Sequence, residues 1–452
     1  MPTSPRTAEL RDKDKRHLWH PFTQMQDWVA DEPLVIERAD GNWLIDTDGN
    51  RYFDGVSSLW TNVHGHRRAE IDAAVRAQLD LVAHSTLLGL GNVPAIELAE
   101  RLVAIAPSGL TKVFYSDSGS TAVEVALKMA FQTWRLRGRP EKKLFVALTE
   151  AYHGDTLGSV AVGGLELFHQ IFQPLLFDVL RVPTPSWYHH PEAPDPVSCR
   201  DLCLRALERL LEERGHEIAA FIIEPLVQGA AGMLVHPHGY LADAVELCRK
   251  HDVLVICDEV ATGFGRTGTM FACQQESVVP DFLCVAKGLS GGYLPLAATL
   301  TTDAVFETFL GKGPELKQFF HGHTYTGNPL ACAAAIASLG LFETDDVLHR
   351  VKERAAELAS SLEARFALHP HVGQIRQRGL MVGLELVADR PTRKRLPPEA
   401  QVGARVCRAA RQHGVLLRPL GDVIVLMPPL SVTASEITAL TAAVAAALDE
   451  VL

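Results

Sequence analysis

Hydrophobic and polar positions along this chain fall into three regimes. Between Val35 and Phe53 apolar and polar residues alternate, punctuated by Asp40-Gly41 and Asp48-Gly49. Alternation broken by Asp-Gly turns predicts a small antiparallel meander. Residues 69–82 and 93–106 then carry apolar positions at helical spacing. From Val113 onward, short apolar runs at 113–115, 143–148, 219–224, 253–258 and 282–285 alternate with helical stretches at 120–136, 199–213 and 239–251. Apolar strands separated by helices predict an α/β fold with a mostly parallel sheet covered by helices. After Gly327-Asn328-Pro329 the pattern changes again. Helices near 330–343, 345–368 and 398–413 surround apolar strands at 379–386 and 423–427, an α+β unit separate from the main sheet.

At 452 residues the chain exceeds what one core usually serves. The expected division is an N-terminal segment (1–70) contributing to a small domain, a large domain (71–330) and a C-terminal small domain (331–452). The net charge of −11 argues against a nucleic-acid or anionic-membrane partner. No window approaches the 18 apolar residues a bilayer crossing needs. The first residues, Met-Pro-Thr-Ser-Pro-Arg, lack the apolar centre of a signal peptide. Eight cysteines are scattered, and Cys199 and Cys203 are the one close pair, at helical spacing. Neither zinc-site nor disulfide spacing is present, so buried free thiols in a reducing cytoplasm are expected, and no metal.

The chemistry concentrates around Lys287. The strand Val253-Leu-Val-Ile-Cys-Asp258-Glu259 ends in two carboxylates, and Lys287 follows in the small-residue loop Ala286-Lys287-Gly288. An acid at a strand end and a lysine in such a loop are the two protein groups that pyridoxal phosphate requires. The lysine holds the cofactor aldehyde, and the acid keeps the pyridine nitrogen protonated so that the ring accepts electrons. Ser116-Asp-Ser-Gly119-Ser120-Thr121 lies between a strand and a helix, with Thr121 and Glu124 spaced as a capping box. Free amides at a helix start attract phosphate, although alone the segment is more often a plain cap. Tyr152-His153-Gly154-Asp155 follows a strand and can place a ring on the cofactor, or be an ordinary turn. His321-Gly322-His323-Thr324 is a polar loop whose threonine can donate to phosphate, or a surface loop. Arg266 reads as a structural partner for an acid, or as a solvated charge. Arg418 sits between apolar stretches, where a guanidinium can clamp a carboxylate or be surface.

Taken together, these residues resemble the class-III aminotransferases of the pyridoxal-phosphate fold-type-I group, from about His17 to the end. The most specific piece is Asp258-Glu-Val-Ala-Thr-Gly-Phe-Gly-Arg-Thr-Gly268 with Lys287 downstream. Trp19-His-Pro-Phe-Thr23, Ser57-Ser-Leu-Trp60, Val63-His-Gly-His66, Gly327-Asn-Pro-Leu-Ala-Cys332 and Arg418-Pro419 are most similar to the biotin-pathway branch. That branch converts 7-keto-8-aminopelargonic acid to 7,8-diaminopelargonic acid. The resemblance implies Lys287 and Asp258 as catalytic groups and Gly119 and Ser120 as phosphate binders. Thr324 and His323 of a second subunit would complete the phosphate site, which implies a homodimer. Tyr152 would stack on the ring, Trp60 would pack on the substrate chain, and Asp155 would join the substrate site. Gly322 would contribute backbone, and Arg418 would grip the substrate carboxylate.

This sequence departs from the pattern at Leu59, where the family often has tryptophan, and at Phe22, where it often has tyrosine. The lost hydroxyl at Phe22 bears on the amino donor, S-adenosylmethionine in most of the branch and lysine in a smaller group. The Phe22 and Leu59 pattern looks closer to the lysine users. The alternatives are a general ω-amino acid or diamine aminotransferase, a mutase or decarboxylase on the same scaffold, and a cofactor-binding protein without turnover.

Overall fold

A computed structural model describes residues 3–190 and 192–452. The strands are, in chain order, β1 (Ile36–Asp40), β2 (Trp43–Asp46), β3 (Arg51–Asp54), β4 (Leu110–Ser116), β5 (Leu144–Leu148), β6 (Val179–Val182), β7 (Ile218–Ile223), β8 (Val227–Gln228), β9 (Leu234–Val235), β10 (Leu254–Asp258), β11 (Phe282–Val285), β12 (Ala297–Thr302), β13 (Val372–Arg378), β14 (Met381–Leu386), β15 (Val415–Leu416), β16 (Arg418–Leu420) and β17 (Val423–Leu426).

Seven of them form the central sheet, in the order β4-β12-β11-β10-β7-β5-β6, and β12 alone runs antiparallel to its neighbours. Periodicity predicts neither β6 nor β12. β6 is only four residues long, and β12 (Ala-Ala-Thr-Leu-Thr-Thr) is too poor in large apolar residues to stand out. The inner strands are buried on both faces, and their side chains divide by parity. Phe145, Ala220, Ile222, Leu254, Ile256 and Phe282 pack under the helix Gly119–Leu136. Val146, Phe221, Ile223, Val255, Cys257 and Leu283 face the other way, toward the helices Pro196–Arg214 and Tyr240–Lys250. The two-residue period of a strand accounts for this, because successive side chains project to opposite faces.

The expected meander is present as β1-β2-β3, and the C-terminal β15 adds to β3 in parallel, so the two ends of the chain share a sheet. A third sheet, β13-β14-β17-β16, is antiparallel throughout and is flanked by the helices Val347–Phe366, Val402–Ala410 and Ala434–Val451. The N-terminal segment also carries a helix, Pro5–His17, that its charged composition conceals. All eight cysteines are free and buried. Among the described residues no helix is long and apolar enough to cross a membrane, and no group of metal-binding side chains occurs.

In a parallel sheet the carboxyl ends of the strands gather along one edge, and ligands bind there. β4, β5, β7, β10 and β11 deliver Ser116, Leu148, Ile223, Asp258 and Val285 to that edge, and the groups that follow them build the site.

Candidate active site

Beyond this edge lies a cavity of about 460 Å³, walled by Phe22, Leu59, Trp60, Gly119, Ser120, Tyr152, His153, Glu224, Asp258, Lys287 and Arg418 among others. Of the two carboxylates ending β10, only Asp258 faces it. Glu259 points away and accepts from Thr262 Oγ1 (2.8 Å), Ala272 N (2.9 Å) and Cys273 N (2.7 Å), bracing the next loop. Asp258 Oδ1 accepts from Val260 N at 3.0 Å, and its Oδ2 lies 2.7 Å from the buried His153 Nδ1. By sequence alone His153 is an ordinary turn residue. The structure makes it the group that orients Asp258.

Lys287 has a positive φ of 38°, in a short turn after β11, and its Nζ stands 4.8 Å from the centre of the Trp60 ring. Burial lowers the lysine pKa, and the carboxylates of Asp258 and Glu224 act against that shift. Glu224, just past β7, has no sequence signal of its own and is found only through its contacts. Its Oε1 accepts from Tyr152 N (3.1 Å) and its Oε2 from Gly229 N (2.9 Å), and burial raises its pKa to about 7.

At the other end of the cavity the helix Gly119–Leu136 begins. The expected capping box of Thr121 and Glu124 does not form. Ser118 is the cap: its Oγ accepts from Thr121 N at 3.3 Å, while Ser118 N donates to Thr121 Oγ1 at 3.0 Å. Glu124 instead accepts from Thr156 Oγ1 (2.6 Å) and Gly158 N (2.7 Å). The amides of Gly119 and Ser120 keep no partner among the described residues and open onto the cavity. A Cβ at Gly119 would come within 2.6 Å of Val260 Cγ1, so this approach of backbone to the cavity floor requires glycine. Gly154 has φ 121°, and a side chain there would collide with Ser120.

Tyr152 lies between these two ends. Its hydroxyl donates to Asp155 Oδ2 at 2.7 Å, and His169 stacks near its ring (centroids 6.1 Å apart, planes 18° apart). Burial and the Asp155 bond raise the phenol pKa. Asp155 N in turn donates to Ser120 Oγ at 3.2 Å, tying this loop to the helix start. Phe22, 56% exposed, forms the outer rim with Phe168 (5.4 Å) and Arg418, whose guanidinium carbon is 5.9 Å from the Phe22 ring. Arg418 has no acidic partner among the described residues.

Arg266 has Asp54 as its acidic neighbour, with no hydrogen bond between the two. It is 1% exposed and donates to Asn62 O and Pro428 O, each at 2.7 Å, stitching the two ends of the chain to the central domain. Burial lowers its pKa to about 9. Gly322, His323 and Thr324 stand outside the cavity wall of this chain. His323 N and O bond Thr326 Oγ1 (3.2 and 2.9 Å) in a tight turn, and Gly322 and Thr324 are exposed.

An enclosed amine, a buried carboxylate braced by an imidazole, and a helix start with free amides share one cavity. These residues fit pyridoxal phosphate, a group that needs an amine for its aldehyde, an acid for its ring nitrogen and amide donors for its phosphate.

Residues 25–448 match the family described as Aminotransferase class-III. A protein from Nitratidesulfovibrio vulgaris named adenosylmethionine-8-amino-7-oxononanoate aminotransferase is 59% identical over 445 residues, covering 98% of this chain and 82% of its own. The solved structure of the Methanocaldococcus jannaschii protein of the same name aligns with a TM-score of 0.93 at 46% identity, covering 98% of this chain and 99% of that one. An amine transaminase from an uncultivated Pseudomonas species, solved in its pyridoxal-phosphate-bound form, aligns at 0.92 with 39% identity, covering 96% and 99%.

Proposed function

The chain belongs to the class-III aminotransferases, which depend on pyridoxal phosphate, and from that premise we propose that it aminates 7-keto-8-aminopelargonic acid to 7,8-diaminopelargonic acid in biotin synthesis. The observation that carries this reading is the 59% identity, over 98% of the chain, to a relative named for that acceptor.

When bound, the cofactor supplies an aldehyde that carries the amino group between two half-reactions and a ring that accepts electrons. Lys287 holds that aldehyde at rest. Asp258, oriented by His153, keeps the proton on the ring nitrogen. Gly119 and Ser120 take the phosphate, and the Gly322–Thr324 loop of a second copy closes that end. This last assignment makes the protein a homodimer, and it is supported by the position of the loop outside its own cavity. Tyr152 covers the ring and is held in place by Asp155 and Glu224. Arg418 takes the substrate carboxylate, and Trp60 and Phe22 line the path of its aliphatic chain.

The freed Lys287 amine takes a proton from the donor carbon that bears nitrogen, and later returns one to the carbon that receives it. Its lowered pKa favours the neutral form this work needs. The division into segments 1–70, 71–330 and 331–452 belongs to the same reading, and the β3–β15 pairing supports joining the first to the third.

The relatives' name favours S-adenosylmethionine as donor, whereas Phe22, without a hydroxyl on the rim, favours lysine. A second reading is a general amine transaminase, favoured by the close fit to the Pseudomonas enzyme. To separate them, the holoenzyme is incubated with the keto acid and each donor in turn, and the diamine is measured by mass spectrometry. Diamine formed with either donor supports the biotin-pathway reading and names the donor. Absence of diamine, with alanine formed from pyruvate and an amine, overturns it.

A further inference from the structure

Between β3 and Thr61, four consecutive residues adopt left-handed backbone: Ser57, Ser58, Leu59 and Trp60, with φ of 51°, 47°, 66° and 70°. None is glycine. A run of L-residues in this region does not persist unless its surroundings impose it. The turn places Leu59 and Trp60 in the cavity wall, so the strain sits at the site itself.

What imposes the turn is Asp54, the last residue of β3 and 1% exposed. Its Oδ1 accepts from Ser58 N at 2.8 Å. Its Oδ2 accepts from Ser58 Oγ at 2.7 Å and lies 3.0 Å from His66 Nε2. Ser57 Oγ adds a bond to Met427 O at 2.6 Å. The buried guanidinium of Arg266 supplies countercharge for Asp54 while holding Asn62 and Pro428 beside the turn. The Trp60 ring is buried and closely bounded. A Cβ at Gly229 would lie 3.2 Å from Trp60 Cζ3, and Lys287 Nζ stands 4.8 Å from the ring centre.

We propose that Asp54 is a positioning residue for amino transfer: by holding the left-handed Ser57–Trp60 turn it sets the Trp60 ring against the Lys287 amine and so shapes the channel for the substrate's aliphatic chain. The inference deepens the reading above and rests on it. Asp54 lies outside the cavity wall. It acts through Ser58, whose side chain bonds back to it and takes no part in the cavity wall.

The test compares Asp54→Ala, Asp54→Asn, Ser58→Gly and the double variant Asp54→Ala/Ser58→Gly as holoenzymes. For each, KM and kcat with 7-keto-8-aminopelargonic acid, cofactor content and the visible circular dichroism of the bound cofactor are measured. Asp54→Ala is expected to raise KM about tenfold, with a smaller change in kcat, full cofactor content and an altered dichroism band. Ser58→Gly alone stays within about twofold of wild type, and in the Asp54→Ala background it recovers about threefold, because glycine enters the left-handed region without strain.

Unchanged kinetics in Asp54→Ala, an equal loss in KM and kcat together with lost cofactor, or no recovery in the double variant overturns the proposal. If Asp54→Ala does not fold, Asp54→Asn decides: a KM-weighted loss supports the role, and no loss or a kcat-only loss removes it. If the wild type fails to turn over the keto acid, the substrate reading falls. The dichroism of the bound cofactor then still decides Asp54, since it reads the Trp60–Lys287 geometry without substrate.

Discussion

At the Asp258 end of the cavity every reactive group stands on or just past a strand of the central sheet, while at the Trp60 end the wall is made of loops and the short edge strand β16. Asp258, Glu224 and His153 are buried, each bonded to a neighbour across an element boundary. Phe22 and Leu59 are 56% and 47% exposed, and both have positive φ. The difference separates two tasks. Holding a proton on a ring nitrogen needs a charge fixed in place, which a rigid sheet edge supplies. Fitting a particular substrate needs a wall that differs between relatives, and loops carry such variation without disturbing the core.

The contrast breaks most completely at Lys287. Lys287→Ala is expected to abolish the absorbance of lysine-bound cofactor and to lower turnover by about 10⁴-fold or more, since the proton-moving amine is gone. Absorbance spectra and steady-state rates check both. Asp258→Asn keeps the shape but removes the charge opposite the ring nitrogen. A loss of about 10³-fold in kcat with little change in KM is expected from single-turnover kinetics. Substitution at the outer end should show the reverse pattern. Arg418→Ala removes the guanidinium proposed to take the substrate carboxylate and is expected to raise KM about 10- to 100-fold with kcat largely kept. If Arg418→Ala fell mainly on kcat, the division of labour between the two ends would not hold.

The smallest effect concerns Glu224 and pH. Its carboxyl is raised from 4.5 to about 7, by burial first and by the nearby Asp258 next, while His153 and its two backbone donors oppose the shift. Folding therefore favours the protonated acid. Between the ordinary value and the raised one the unfolded chain binds fewer protons than the folded protein, so the stability this group contributes is full below pH 4.5 and falls as pH rises to about 7. Glu224→Gln should flatten that slope, as seen by comparing thermal midpoints at about pH 5 and about pH 8. An unchanged slope would remove Glu224 as its source.

Much of the rigid end is legible in the chain's own pattern. The spacing of Asp258 and Lys287, the apolar strands before them and the glycine at 119 each carry a local signature that survives folding. His153 and Glu224 escape because their significance is a contact: one lies beside Asp258 from a loop after β5, the other between Tyr152 and Gly229, and most of these partners are distant along the chain. Ser118 displaces Thr121 as the cap because the helix starts earlier than the Thr121–Glu124 spacing indicates. β12 goes unseen because small and hydroxyl residues suffice where a strand is enclosed on both sides. The loop end is the least legible. Ser57-Ser-Leu-Trp60 carries no glycine or asparagine to announce left-handed backbone, and its supports are contacts, from Ser58 to the buried Asp54 and from Ser57 to Met427 O.

The most direct test of the account is a half-reaction on the purified holoenzyme. Donor amine first converts the cofactor to its amine form, excess donor is removed, and 7-keto-8-aminopelargonic acid or pyruvate is added while the visible spectrum is followed. The account predicts that the keto acid restores the original lysine-bound band in a single turnover, much faster than pyruvate does. Restoration by pyruvate with no response to the keto acid would contradict it.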